Sequence, residues 1–187
     1  MFIGHAAIAL AVKRARPSIP LAALIAATFG PDVIEITLLV LWRWAKMPAS
    51  FGSHSIPAIA FGAAFVGFAY WIWRRDAAGA GLLTATYASH WFADLFTGTR
   101  KPTWVGGPAL GLELYEHPSI DFALEAGLFL IAWLFFWPAR DRRRRPRAAQ
   151  LALPIAVLLL QMVFNGAKRL FGIESLKGAV TATQRAG

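Results

Sequence analysis

His90 and Asp94, in Ser89-His90-Trp91-Phe92-Ala93-Asp94, are four residues apart, so on a helix they share a face and can offer an imidazole nitrogen and a carboxylate oxygen to one ion. In a soluble helix the same spacing would suit a plain His–Asp hydrogen bond. Inside an apolar segment the pair must face something polar, which favours a bound metal. Ser53-His54-Ser55 is a second element, an imidazole flanked by two small hydroxyls at a helix start. Pro31-Asp32 is a third: a proline inside a helix removes a backbone hydrogen bond and opens space that the Asp can cap or leave for a ligand. His5, Glu35 and Glu125 complete the ionisable groups within or beside apolar stretches. With no Cys in the chain, disulfides, thiolate zinc sites and cysteine nucleophiles are excluded, and any transition-metal site must use His, Asp and Glu.

The elements that position these groups are apolar. Of 187 residues 57% are hydrophobic and only 16% charged, with a mean hydropathy of +0.51, which argues against a soluble domain and excludes disordered, collagen-like and disulfide-scaffold classes. The expected fold is an all-α polytopic membrane bundle, one integral membrane domain over 1–187. Spans are expected at 20–44, 56–73, 78–98, 120–137 and 148–167, each long enough to cross as a helix. Residues 1–137 carry the chemistry, and 138–187 hold a basic connector, the last span and a tail. The apolar residues 1–12 precede Lys13, Arg14 and Arg16, the reverse of a signal peptide, and are expected to be retained. Twelve helical residues rise about 18 Å, short of a hydrocarbon core of about 30 Å, so this piece is a half-span or a packing element. Trp42, Trp44, Trp71, Trp73, Trp104, Trp133 and Trp137 read as interfacial anchors.

The net charge of +9 does not signal nucleic-acid binding, because the basic residues cluster in connectors between apolar segments. Alternate connectors hold eleven Lys and Arg on one side (at 13, 14, 16, 74, 75, 140, 142–145 and 147) against eight on the other. The dense clusters are expected to be cytoplasmic. That orientation gathers His5, Asp32, Glu35, His54, His90, Asp94 and Glu125 towards the extracytoplasmic half of the bilayer, the pattern of one buried polar site.

The opening Met-Phe-Ile-Gly-His at 1–5, then Pro31-Asp32, Ser53-His54-Ser55, Ser89-His90-Trp91 with Asp94, Gly106-Gly107-Pro108, Gly111-Leu112 and Glu125 form an ordered set. In that order the chain resembles the predicted membrane-bound metal-dependent hydrolases, the LexA-binding, inner-membrane-associated group, which is distantly similar to zinc-dependent phospholipase C. The resemblance covers about residues 1–137. It implies a metal site with His5, Asp32, His54, His90 and Asp94 as ligands and Glu125 as a nearby acid. The chain departs from the pattern at Ile34, where relatives often have a second Asp, and in Glu113-Leu114-Tyr115-Glu116-His117, leaving the number of metals open.

Three nitrogen and two oxygen ligands suit Zn²⁺, with Mn²⁺ or Fe²⁺ as alternatives, and an open position would hold a water whose pKa falls towards 7. Glu125 or Glu35 could serve as general base, and Arg100 or Lys101 could hold a phosphate. The expected activity is hydrolysis of a phosphoester or lipid-linked substrate in a bacterial inner membrane. Membrane lipid is the expected partner, nucleic acid is not, and the oligomeric state is open. Two other classes share the same residues: a small proton or divalent-metal transporter, and a scaffold whose His and Asp only join helices.

Overall fold

The computed structural model describes residues 3–45, 53–97, 100–104, 107–136, 152 and 154–163. The chain divides into two compact units, Met1–Arg144 and Arg145–Gly187. The first unit is all-α, with six helices among the described residues: α1 (Ile3–Ala15), α2 (Leu21–Ala45), α3 (Ile56–Arg74), α4 (Ala77–Thr97), a 3-10 helix (Leu114–Glu116) and α5 (Pro118–Phe136). A two-residue antiparallel pair, β1 (Lys101–Pro102) and β2 (Ala109–Leu110), lies between α4 and the 3-10 helix. In the second unit a ten-residue apolar helix spans Pro154–Val163.

Among the described residues three helices, not five, are long and apolar enough to cross a bilayer: α2 over Leu21–Leu38, α3 and α5. Of the other two expected spans, one falls short in hydropathy and the other lies partly outside the described residues. Helix α4 has the length, 21 residues, but carries Thr84, Thr86, Ser89, His90, Asp94 and Thr97, and this polar face lowers its hydropathy. Of the expected span at 148–167, the described helix is too short to cross, and the other positions lie mostly outside the described residues. The three long helices present large apolar side chains outwards, such as Phe61 at 76% exposed on α3 and Leu134 at 69% on α5, a surface suited to an apolar medium. Trp133, expected at an interface, is buried instead, stacked on Phe129 at 6.2 Å between ring centroids.

Small residues let α2, α3 and α4 close around one aromatic ring. A side chain at Gly30 on α2 or Gly62 on α3 would run into the ring of Tyr87 on α4, and one at Gly67 would strike the Thr84 side chain. Glycine at these three positions thus allows the backbone approach that sets His90, one turn beyond Tyr87, against α2. The α1–α2 and α3–α4 connections are pinned by polar groups. The Lys13 ammonium donates to the carbonyls of Pro17 and Ile19, both at 2.6 Å, holding the turn from α1 into α2. Between α3 and α4, Arg75 adopts a left-handed conformation (φ 54°) and its N–H bonds the Trp71 carbonyl at 2.8 Å. Asp76 then caps α4 by accepting the Gly79 N–H at 3.0 Å, and it receives the Arg16 guanidinium at 3.0 and 3.2 Å. The Asp76 carboxyl is held below its ordinary pKa, chiefly by the Gly79 amide and then by Arg16.

The strand pair is tied to the start of α3, since the Ile56 N–H donates to the Thr103 carbonyl at 2.9 Å. The segment that follows β2 is tied to α4 by the Leu112 N–H, which donates to the Leu95 carbonyl at 2.9 Å. These two bonds bring Lys101 to the end of α4 that bears Asp94.

Candidate metal centre

Four elements deliver the cluster. Helix α2 brings Asp32 and Glu35, the turn before α3 brings His54, α4 brings His90 and Asp94, and α1 brings His5. Ligand atoms of Asp32, His54, His90 and Asp94 all lie within 4.8 Å of one another, and three of the four residues are buried. Asp32, whose side chain is 34% exposed, forms the open edge.

Which nitrogens face the centre is set by what holds the other side of each ring. His90 donates from Nδ1 to the Thr28 carbonyl at 2.7 Å. That carbonyl lies in the turn before Pro31, where proline withdraws a backbone donor and loosens the helical ladder. His54 Nδ1 lies 2.8 Å from Glu35 Oε2 and 3.0 Å from the Ser53 hydroxyl, so a proton on Nδ1 is donated in a hydrogen bond to the carboxylate. When the ring proton sits on Nδ1 in both, both Nε2 atoms are left to act as ligands, once the second proton that Asp32 and Glu35 favour on His54 has been displaced. Those two Nε2 atoms are only 3.0 Å apart. Asp32 Oδ1 is 3.3 Å from one and 3.5 Å from the other, and Asp94 Oδ2 is 3.7 and 3.5 Å away. Four electron-rich atoms converging in a buried space need a positive charge between them. The set could hold a metal ion, and the Nδ1 partners are the supporting contacts that metal-binding histidines use.

The local electrostatics point the same way. Asp32, Glu35 and Asp94 bring three carboxylates together, and among the described residues Lys101 sets its Nζ 3.2 Å from Asp94 Oδ2. Burial opposes charge on His54, but Asp32 and Glu35 outweigh it and raise its pKa above the usual histidine value. Positive charge is therefore drawn to this position, as a proton or as a cation.

The other candidates take distinct places. His5 is fully buried, stacked on His90 at 4.0 Å between ring centroids, with Nε2 3.4 Å from Asp94 Oδ1 and 3.9 Å from Asp32 Oδ2. Glu35 lies behind His54, oriented to fix its tautomer. Glu125 is outside the converging group: it is buried at the start of α1, where Oε2 accepts the Ile3 N–H at 2.9 Å and the Gly4 N–H at 3.5 Å. Its carboxylate caps the free amides of α1, which holds the helix that carries His5. Arg100 is 60% exposed and pairs with Glu113 at 3.2 Å, whereas Lys101 reaches the cluster. Sequence reasoning missed the Thr28 carbonyl, since a backbone acceptor leaves no mark in residue type.

No family model, curated protein or solved structure matches the chain. What stands is a helical protein with three apolar helices of spanning length and a buried His/Asp group able to hold a metal ion.

Proposed function

We propose that the chain is a membrane-embedded, metal-dependent hydrolase of phosphoesters, with a lipid-linked substrate. One observation carries this reading: the Nε2 atoms of His54 and His90 lie 3.0 Å apart beside the Asp32 and Asp94 carboxylates. Imidazole and carboxylate donors without thiolate suit Zn²⁺, Mn²⁺ or Fe²⁺. Such a cation, when bound, polarises a phosphoryl oxygen and lowers the pKa of a coordinated water towards 7.

The chain's own residues supply the rest. Lys101 can pair with a phosphate oxygen while remaining within reach of Asp94. The half-exposed edge at Asp32 and Glu35 gives water and substrate an approach, and Glu35 can accept a proton there. Hydrolysis then forms a bond from water oxygen to phosphorus and breaks the phosphorus–oxygen ester bond. The water's proton passes to the carboxylate, and a proton returns to the departing alkoxide.

A lipid-linked substrate is supported by a cavity of about 530 Å³ between α1, α4 and α5. Its lining includes Gly4, Ser89 and Ala93, the sequence neighbours of His5, His90 and Asp94. The Ser89 and Thr97 hydroxyls in its wall are spent on carbonyls of α4, Thr86 at 2.7 Å and Ala93 at 3.2 Å. The surface offered is therefore carbon. From Leu124 to Phe135 along α5 the groove runs about 16 Å, close to half the hydrocarbon thickness and so to one acyl chain. Localisation in a bacterial inner membrane, with the site towards the extracytoplasmic side, completes the proposal.

The test is turnover by the full chain in phosphatidylglycerol vesicles, stripped with chelator and reloaded with Zn²⁺ or Mn²⁺. Reloading should restore hydrolysis of long-chain and short-chain phosphoesters alike, and His90→Ala should abolish both. Leu128→Trp, which fills the groove, should cut only the long-chain rate, by about tenfold. Metal or proton flux with no ester turnover would instead mark a transporter and overturn the reading.

A further inference from the structure

We propose that the centre takes a second divalent cation, held by His5 Nε2, Asp32 Oδ2 and Asp94 Oδ1; the inference rests on reading Asp32, His54, His90 and Asp94 as the first metal site. The division of carboxylate oxygens carries it. Asp32 turns Oδ1 to His54 and His90, at 3.3 and 3.5 Å, and Oδ2 to His5 at 3.9 Å. Asp94 does the same with its atoms exchanged, Oδ2 towards His90 and His54 at 3.5 and 3.7 Å and Oδ1 towards His5 at 3.4 Å. Both carboxylates thus stand between two groups of imidazole nitrogen, as bridging ligands do.

His5 supplies the independent observation. It is fully buried, and among the described residues neither ring nitrogen has a hydrogen-bond partner. A buried imidazole whose nitrogens make no well-formed hydrogen bond is costly, and its Nε2 faces two carboxylate oxygens, Asp94 Oδ1 at 3.4 Å and Asp32 Oδ2 at 3.9 Å. The four-residue cluster does not include it, as expected if His5 serves a neighbouring point rather than the first one. Its position is fixed from behind: Glu125 anchors the start of α1 and Phe29 meets the His5 ring edge-on at 5.7 Å. One imidazole and two carboxylate oxygens leave positions for water, a donor set suited to Mn²⁺, Fe²⁺ or Zn²⁺. Two-metal sites hold their ions about 3.5–4 Å apart, and a pair held by these residues would supply the clamp on the attacking and leaving oxygens of a phosphoester.

The experiment uses the full chain in detergent, stripped with chelator and reloaded with Mn²⁺, reading bound Mn²⁺ per chain and the electron paramagnetic resonance signal. Two ions per chain and an exchange-coupled spectrum are expected. His5→Ala and His5→Gln should each bind one ion with an isolated six-line signal, which also reports that the His54/His90 site has folded. One ion in the unaltered protein, unchanged in both variants, overturns the inference while leaving the metal-site reading intact. Loss of every ion in both variants also overturns it, because His5 would then belong to a single shared site. Two ions without phosphoester turnover support the second cation and defeat the hydrolase reading, whereas no bound metal defeats both.

Discussion

The tautomers of His54 and His90 decide what the cluster is. Each ring directs its Nδ1 to an acceptor, His54 to Glu35 and His90 to the Thr28 carbonyl, and each Nε2 faces its counterpart. Glu35 therefore acts on the centre through His54, and Glu35→Ala should weaken metal affinity about 10–100-fold in a chelator competition. Glu35→Gln, which keeps an acceptor for Nδ1, should recover part of that loss. Because Asp32 and Glu35 raise the His54 pKa above its ordinary value of 6.5, a metal must displace a proton at any pH below that raised value. Affinity should fall about tenfold per pH unit as pH is lowered through that range and level off above it. A flat profile would mean that His54 is not a ligand. The candidate ligands could be picked out in the sequence from rarity alone: three of the four His and a few carboxylates stand in otherwise apolar stretches. The duties of Glu35 and Glu125 could not, because a carboxylate at either position reads the same whether it meets a histidine ring or a helix terminus.

At the scale of elements, the site depends on how closely α2, α3 and α4 approach, and on a latch at the far end of the bundle. Tyr87 fits only because Gly30 and Gly62 face it. Arg16, between α1 and α2, reaches Asp76, between α3 and α4, so one ion pair joins the two helical turns. The folded-state pKa of Asp76 is depressed, so its contribution is present above the unfolded value near 3.8 and is lost as pH falls through the folded value. Asp76→Ala should accordingly lower Tm in detergent at pH 7, and the gap from the unaltered protein should close below about pH 4. A gap independent of pH would show that the charge on Asp76 contributes nothing. Apolar stretches announced most of the helices, yet hydropathy alone misjudged α4. Its polar face is what builds the site and meets α3, and those residues remove it from the count of spans.

Within the unit Met1–Arg144, apolar helices surround the buried polar cluster. Exposed Phe and Leu on α3 and α5 suit lipid, while His5, His90 and Asp94 are removed from solvent. Charge held in such a place requires a counter-charge, and a divalent cation is the simplest one the donor set accepts. The measurement that tests this most directly is the metal content of the detergent-purified full chain, prepared without chelator, beside the His90→Ala, Asp94→Ala double variant. The account predicts at least one tightly held divalent ion per chain in the unaltered protein and none in the double variant, with helix content unchanged. A chain free of divalent metal, or a double variant with the same metal content as the unaltered protein, would contradict it.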